Sequence, residues 1–312
     1  MAKKNKTTEV KRSKYLFKKS PGEKAFDALN YVLFGLFTLI CIFPFYYLFI
    51  NTISDNDLVA KGLITLWPKG LHLNNYIALQ NVNDLFQSAL VTVIRTVLGT
   101  ALMVGASGFA GYLVTKQKLW KRSFWYRFLV ITMYFNAGLI PWYLNMMMLG
   151  LTNNFWAYII PGIVAPYNII LVKTYVESLP AELEESALLD GAGFFTVFTK
   201  IIWPLSKPIL ATIAIFGAVG NWNSFQDSLL LMQSAPEYFT LQHRLYDYLN
   251  SSTNLGALVS GAGGATGLTG SMTNPVVIKY TIAMATVLPI LAVYPIMQRY
   301  FVKGIMLGAV KG

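Results

Sequence analysis

The sequence is short of charged residues, cysteine and histidine. Asp, Glu, Lys and Arg together make up 12% of its 312 residues, about half the fraction that a soluble domain carries. The one cysteine, Cys41, lies inside an apolar run, which excludes a disulfide framework and a cysteine-based metal site. The two histidines, His72 and His243, have no metal-ligating or catalytic spacing. We therefore predict no catalytic residue and no metal site in this chain.

What the sequence does contain is long apolar runs. Hydrophobic residues make up 55% of the chain, and they gather in windows of about 20 residues, which is the length that crosses a bilayer. This pattern predicts an all-α polytopic membrane protein with six transmembrane helices. The predicted spans are residues 29–52, 86–115, 124–144, 155–176, 206–229 and 276–298.

The positive charge indicates how these spans are oriented. The net charge of +11 comes from Lys and Arg beside the apolar windows, so it does not indicate a nucleic-acid surface. Basic residues crowd the N-terminal segment and the connection between spans two and three, which the positive-inside rule places in the cytoplasm together with both termini. We expect a retained cytoplasmic tail at 1–28, a six-span transmembrane domain at 29–298 and a cytoplasmic tail at 299–312.

Arg95 lies within the second predicted span. Because residues 96–115 are long enough to cross alone, we expect Arg95 to lie near the outer boundary and to extend toward water. The centres of the spans contain no Asp or Glu, which argues against a proton-coupled carrier, since such a carrier needs a titrating relay in the membrane.

The stretch "EESALLDGAGFFTVFTKIIWP", residues 184–204, is acidic and differs from its apolar neighbours. Its glutamates fall near the positive end of a short predicted helix, and Gly191 is a natural stop where positive φ costs little. Residues 194–202 predict a second, amphipathic helix before Pro204. An interfacial helix is usually basic because lipid head groups are anionic. Docking of this acidic helix on a basic, partly apolar groove of another protein is therefore the favoured interpretation.

This stretch resembles the EAA loop of ABC importer permeases, whose pattern is Glu-Ala-Ala, three residues, Gly, nine residues and Ile-x-Leu-Pro. The departures are mild, with Ser186 in the triplet and Trp203 in place of Leu. The resemblance extends to "NNY" at 74–76, "NWN" at 221–223 and the C-terminal "YFVKGIMLGAVKG". Together these features resemble the carbohydrate-uptake (maltose-type) family, in particular its six-span subunit and its permeases for oligosaccharides and polysaccharide fragments. The matching positions of the loop are Glu185, Ala187, Gly191, Ile201 and Pro204.

The resemblance implies a type I ABC importer transmembrane domain with a cytoplasmic coupling helix in the EAA loop, residues 177–204. Its implied partners are a second related permease, two ATPase subunits, an extracytoplasmic solute-binding protein, a sugar substrate and membrane lipid, with no nucleic acid. The implied location is the plasma or inner membrane of a bacterium. This chain would bind no cofactor, because ATP and magnesium belong to the ATPase subunits. The implied coupling residues are Glu184, Glu185, Ser186, Ala187, Asp190, Gly191, Ala192, Gly193 and Pro204, with Glu185 facing an arginine of the ATPase.

Neutral polar and aromatic residues within the spans are candidates for the substrate path. Aromatic faces and amide groups suit sugar rings and hydroxyls. The alternative is that these residues connect helices or lie in the aromatic belt at the membrane surface. The candidates are Tyr134 and Asn136 in span three, and Asn221, Trp222, Asn223 and Gln226 in span five.

The connection between spans five and six, residues 230–275, is the longest outer segment, and such loops are usually functional or disordered. Leu241, Leu245 and Leu249 have helical spacing, so its first part should fold. Its glycine-rich second part lacks the Lys-Ser/Thr of a phosphate loop. By resemblance, this part would contact the binding protein through Gly261, Gly263, Gly264 and Gly267.

Two other classes of protein stay open at this point. A secondary carrier or channel would need no ATPase, but it would leave the EAA loop unexplained. A membrane-embedded enzyme would need a convergent set of His, Ser or acidic groups, which the sequence does not suggest.

Overall fold

The structure is a computed structural model that describes residues 20–79, 84–251 and 275–309. These ranges contain helices and connecting segments and no β-strand, which confirms the predicted all-α class. Short 3₁₀ turns occupy Phe155–Tyr158, Ile160–Gly162 and Pro236–Tyr238, and Phe198–Ile202 forms a π-helical turn. The α-helices are α1 (Pro21–Thr52), α2 (Asn56–Ala60), α3 (Asn74–Ala78), α4 (Leu85–Thr115), α5 (Arg122–Tyr134), α6 (Leu139–Met148), α7 (Pro166–Val176), α8 (Glu182–Leu189), α9 (Phe194–Val197), α10 (Trp203–Leu205), α11 (Lys207–Asn223), α12 (Gln226–Leu231), α13 (Leu241–Ser251) and α14 (Pro275–Ala309).

Three of the described helices are long and apolar enough to cross a membrane. They are α1, α4 and residues Val276–Val293 of α14, which agree with predicted spans one, two and six. Two bent pairs pass the same test together: Phe155–Gly162 with α7, bent by 41°, and Phe194–Leu205 with α11, bent by 78°. By length and composition the described residues therefore contain three spans, or five if each bent pair is one span.

The third predicted span, residues 124–144, is broken. Helix α5 ends at Tyr134 and α6 begins at Leu139, so neither reaches the length of a span. Between them Gly138 has a φ of +91°, which side-chain-bearing residues rarely adopt. The continuous third helix that hydropathy suggested is not formed, and the count of six spans stays a prediction.

The chain divides into two compact units, residues 1–47 and residues 48–312. In the first unit α1 begins at Pro21, earlier than the predicted residue 29, because Ser20 and Glu23 form a capping box. The Ser20 amide donates to the Glu23 carboxylate at 2.8 Å, and the Glu23 amide donates to the Ser20 hydroxyl at 3.2 Å. The apolar side chains of this unit are mostly exposed.

Helix α4 is central to the second unit, where it packs against α7 and α11. Two of its glycines allow the close approach. A Cβ on Gly108 would lie 2.7 Å from the Trp203 ring, and a Cβ on Gly111 would lie 2.8 Å from the Val172 side chain. Small residues at such contacts are how membrane helices pack tightly, since lipid supplies no hydrophobic drive between helices.

Arg95 of α4 is buried, so the prediction that it extends toward water is wrong. Its side chain is 2% exposed and forms an ion pair with Asp227 of α12. The guanidinium also donates to the Ser224 carbonyl at 3.2 Å and lies 4.5 Å from the centre of the Tyr158 ring. The two terminal nitrogens are paired by these groups, whereas the buried Nε has no hydrogen-bond partner among the described residues, and the charge is neutralised without reaching water.

The segment after α11, which the sequence predicts to lie outside the membrane, folds as predicted in its first part. Leu241, Leu245 and Leu249 lie on α13, and the Leu241 amide donates to the Thr92 hydroxyl of α4 at 2.8 Å. Residues 252–274 lie outside the described residues, and with them the candidate contacts Gly261, Gly263, Gly264 and Gly267. Helix α14 continues to Ala309, so the described part of the predicted C-terminal tail is helical.

Candidate functional site

The EAA loop begins with the short helix α8, whose limits follow from local chemistry. Its first turn carries Glu182, Glu184 and Glu185, which stabilise a helix N-terminus. Its end is set by Gly191, which has a φ of +82° and donates its amide to the Leu188 carbonyl at 3.1 Å. The predicted left-handed stop at Gly191 is therefore confirmed.

The second part of the EAA loop buries its aromatic face. After Gly193, the chain runs through α9, the π-helical turn and α10, and it buries Val197, Phe198 and Ile202. The Phe198 ring lies 5.3 Å from the rings of Phe109 and Tyr112 of α4, in contacts of the kind that stabilise aromatic pairs. The second part of the EAA loop is therefore packed against the end of α4 that the sequence predicts to lie near the cytoplasm.

A charged cluster anchors α8 to the end of α4. Glu184 forms an ion pair with Lys116, and both side chains are mostly buried. The Tyr112 hydroxyl lies 3.4 Å from the Glu184 carboxylate and 3.4 Å from the Phe194 carbonyl, and Lys116 lies 4.1 Å from the centre of the Tyr112 ring. Glu184 is therefore occupied within the chain, although the sequence placed it in the docking surface.

The outward face of α8 is acidic with an apolar centre. Glu182, Glu185 and Asp190 are exposed, and Leu189 between them is 88% exposed. The small residues of the motif divide between the two faces. Ala187 and Ala192 pack inward against the chain's own core, whereas Ser186, Gly191, Gly193 and Pro204 are exposed.

The candidate substrate-path residues of span five serve contacts between helices. Asn221 reaches the Thr100 hydroxyl of α4 at 3.5 Å. Trp222 donates its indole N–H to the Thr286 carbonyl of α14 at 3.1 Å. Asn223 accepts from the Gln242 amide of α13 at 3.3 Å, and Gln226 is exposed at the start of α12. In the described part of the chain Trp222 also lines an apolar cavity between α4, α11 and α14, and the other three residues do not line that cavity.

The candidates of span three lie at the break between α5 and α6. Tyr134 ends α5 and is 81% exposed. Asn136 lies in the break, where its side-chain oxygen accepts the Gly138 amide at 2.8 Å, and it lines a cavity of about 730 Å³. Sequence reasoning missed the other polar residues of this cavity, Trp142, Asn145, Tyr167 and Asn168, because they come from two helices that hydropathy treats as separate spans.

Sequence reasoning also missed a buried polar group on the outer segment. His243 is 3% exposed, and its Nδ1 lies 2.9 Å from the Ser228 hydroxyl. Burial lowers the pKa of His243 below its ordinary value, and Arg244 lowers it further, while Asp247 and Asp227 oppose the shift. The missed partner of Arg95 did have a signal in the sequence, namely Asp227, an acidic residue within predicted span five.

Comparison with known proteins decides the family. Residues 14–307 match the model of the family described as "Binding-protein-dependent transport system inner membrane component". The chain belongs to this family. This permease is 34% identical over 293 residues to Protein LplC of Bacillus subtilis (strain 168), with 93% of this chain and 96% of that protein covered. It is 32% identical over 289 residues to the polygalacturonan/rhamnogalacturonan transport system permease protein YtcP of the same organism, with 93% and 99% covered.

A solved structure gives the fold of the permease. The chain matches a chain in the crystal structure of a bacterial ABC transporter involved in the import of the acidic polysaccharide alginate, with a TM-score of 0.80 and 30% identity. The match covers 91% of this chain and 99% of that one. The ABC importer permease fold implied by the EAA loop is therefore confirmed, and the permease is a non-catalytic membrane subunit. Family membership removes the secondary carrier or channel and the membrane enzyme as alternatives.

Proposed function

We propose that the permease imports oligosaccharides or polysaccharide fragments. The observation that carries this is the agreement of relatives over nearly their whole length. One is named for polygalacturonan and rhamnogalacturonan transport, another, at 27% identity, for arabinooligosaccharides, and the matching solved structure is involved in alginate import. The neutral amide and aromatic groups at the break between α5 and α6 are of the kind that bind sugars.

The proposed assembly pairs this chain with a second, related permease, two ATPase subunits and a solute-binding protein outside the membrane. ATP and magnesium would bind to the ATPase subunits, since the glycine-rich 261–267 segment lacks the Lys-Ser/Thr of a phosphate loop. The membrane is the bacterial inner membrane, and the distribution of Lys and Arg supports cytoplasmic termini. The third of six spans would consist of α5 and α6 with the break between them.

The EAA loop is proposed to be the coupling helix. Its outward acidic residues Glu182, Glu185 and Asp190, with Leu189 at the centre, suit a basic groove with an apolar floor on the ATPase. Movement of the ATPase subunits would displace α8, and the Glu184–Lys116 ion pair would transmit that displacement to α4. Glu185 is the residue assigned to the ATPase contact, because it is exposed and has no ion-pair partner among the described residues.

The test is ATP-dependent uptake in proteoliposomes that contain the permease, its partner permease, the ATPase and the binding protein. We expect uptake of short oligogalacturonides or of neutral galacto-oligosaccharides that stops when ATP is omitted. Glu185→Lys should abolish uptake and weaken co-purification of the ATPase, whereas Glu177→Gln, which removes a carboxylate that pairs within the chain with Lys173 and Arg122, is the control on the same loop and should keep both. If the wild-type complex does not take up these sugars in the presence of ATP, the proposed substrate class is wrong. If Glu185→Lys takes them up normally, the proposed coupling contact is wrong.

A further inference from the structure

The break between α5 and α6 opens a cavity whose lining carries no charged side chain. Its volume is about 730 Å³, within the range of small-molecule sites. The walls come from the end of α5, the break, the first turns of α6 and the first turn of α7. Irregular backbone at such a position in a membrane protein is tolerated where it lines a cavity or is covered by protein.

Several polar groups in this cavity have unused hydrogen-bonding capacity. Within the described ranges, no hydrogen bond reaches the amide of Asn145, the indole N–H of Trp142 or the hydroxyl of Tyr167. Asn168 is 8% exposed, and its amide nitrogen meets the Met103 sulfur, a weak acceptor, at 2.9 Å. No described residue donates to its oxygen. Asn145 and Tyr167 are exposed, and Asn168 is buried, so a ligand that enters the cavity can engage hydrogen-bonding groups that the described part of the chain leaves open.

The chemistry of the lining selects the class of occupant. Two amides, a phenol and an indole offer both donors and acceptors, and the aromatic faces suit the apolar faces of sugar rings. The first turn of α7 adds the backbone N–H groups of Tyr167 and Asn168, since this helix has no side-chain cap. With no charged side chain present, recognition depends on hydroxyl groups and not on an ion pair.

We propose that this cavity is a binding subsite for the transported saccharide. Asn145, Tyr167 and Asn168 would contact sugar hydroxyls, and Trp142 would stack on a ring. The proposal rests on the proposed sugar-import function and adds the place in this subunit where the sugar is held. Asn136 has a positioning role, because its side chain stabilises the break through the Gly138 amide.

The single native cysteine makes a direct test possible. In a Cys41→Ser parent, Asn145→Cys places a thiol in the cavity, and Leu144→Cys places one on the neighbouring residue, which is 49% exposed and does not line the cavity. The assembled transporter is treated with a methanethiosulfonate reagent with and without short neutral galacto-oligosaccharides, in the resting and the vanadate-trapped complex. Labelling of this chain is followed by mass spectrometry.

We expect sugar at about four times its dissociation constant to slow labelling of Asn145→Cys about fivefold, with no change for Leu144→Cys. A thiol at 145 that is labelled at the same rate with and without sugar overturns the proposal. A thiol that cannot be labelled in the assembled complex also overturns it, because a protein partner then fills the cavity. Uptake by the Cys41→Ser parent tests the sugar-import function separately, so the two failures can be told apart.

Sugar uptake by point variants provides a second test of the proposal. Tyr167→Phe and Asn145→Leu each remove hydrogen-bonding capacity that the chain itself does not use, so folding and assembly should be unaffected. We expect each to lower galacto-oligosaccharide uptake about fivefold, the effect of one neutral hydrogen bond. Tyr143→Phe on the same helix, outside the cavity, is the control and should transport normally. Equal uptake by all three variants contradicts the proposal.

Discussion

Although Arg95 and Asp227 form one ion pair, mutation of Asp227 should destabilise the protein much more than mutation of Arg95. Arg95 is 2% exposed and Asp227 is 17% exposed. Asp227→Ala leaves a buried cation with the Ser224 carbonyl and the Tyr158 ring as its remaining partners. Removing one partner of a buried pair typically costs about 3–5 kcal/mol, because the other charge stays desolvated. Arg95→Met should cost less, since the Asp227 carboxylate can reach water and keeps the Ser224 hydroxyl at 3.0 Å.

The double variant Arg95→Met/Asp227→Ala separates the pair from its surroundings. Replacing a buried ion pair by apolar side chains is often neutral or stabilising, so the double variant should be more stable than Asp227→Ala alone. The matched control is Glu177→Ala, which removes a half-exposed carboxylate from its ion pairs with Lys173 and Arg122 and should cost under about 1 kcal/mol.

The assay is thermal unfolding of the purified variants in one detergent at one scan rate. A loss of about 3–5 kcal/mol corresponds to a decrease of about 5–8 °C in Tm for a chain of 312 residues, at an unfolding entropy of about 2.1 cal/mol/K per residue. The expected order of Tm is control, double variant, Asp227→Ala, with Arg95→Met above Asp227→Ala. Two results would refute the reasoning: an unchanged Tm for Asp227→Ala, or a double variant less stable than Asp227→Ala.

Three further predictions concern other parts of the chain. Gly191→Pro should leave the protein in the membrane but abolish uptake, because proline cannot adopt the φ of +82°; normal uptake with intact ATPase binding would show that the turn is dispensable. Gly111→Leu should prevent stable folding, since a Cβ there lies 2.8 Å from Val172, whereas Gly105→Leu, with open space around it, should accumulate normally in membranes. The lowered pKa of His243 means that its folded form resists protonation, so stability should fall as pH drops below about 6.5; His243→Gln should flatten this decrease in Tm, and an unchanged pH profile would contradict it.

Local signals in the sequence were enough to predict several elements. Helices α1, α4 and α14 follow from uninterrupted apolar runs, because the length of such a run alone satisfies the requirement for crossing a bilayer. The stop at Gly191 follows from the low cost of positive φ at glycine. Each of these depends on neighbours in the chain, which a sequence displays directly.

Features that depend on distant residues could not be predicted in the same way. The partner of Arg95 is 132 positions away, so hydropathy recorded an isolated charge and the expectation of an exposed side chain followed. Glu184 resembled its neighbours at the start of α8, but Lys116 at the end of α4 turns it inward. The break at Gly138 lies in a run that is apolar on both sides, and a hydropathy average hides the short Asn136–Gly138 interruption, which is why span three was predicted as one helix.

Helix α4 connects the two charged clusters of the permease. Lys116 follows its last residue, and Arg95 lies about 30 Å away along the helix axis, at 1.5 Å per residue. Between them, glycines 108 and 111 hold the helix tightly against its neighbours. A helix that is packed in the middle and paired near both ends moves as a rigid body more readily than it bends, so a displacement of α8 would reach α12 through it. Since a buried ion pair often adds little net stability, the value of Arg95–Asp227 would lie in fixing the register of α4 against α12 during that movement.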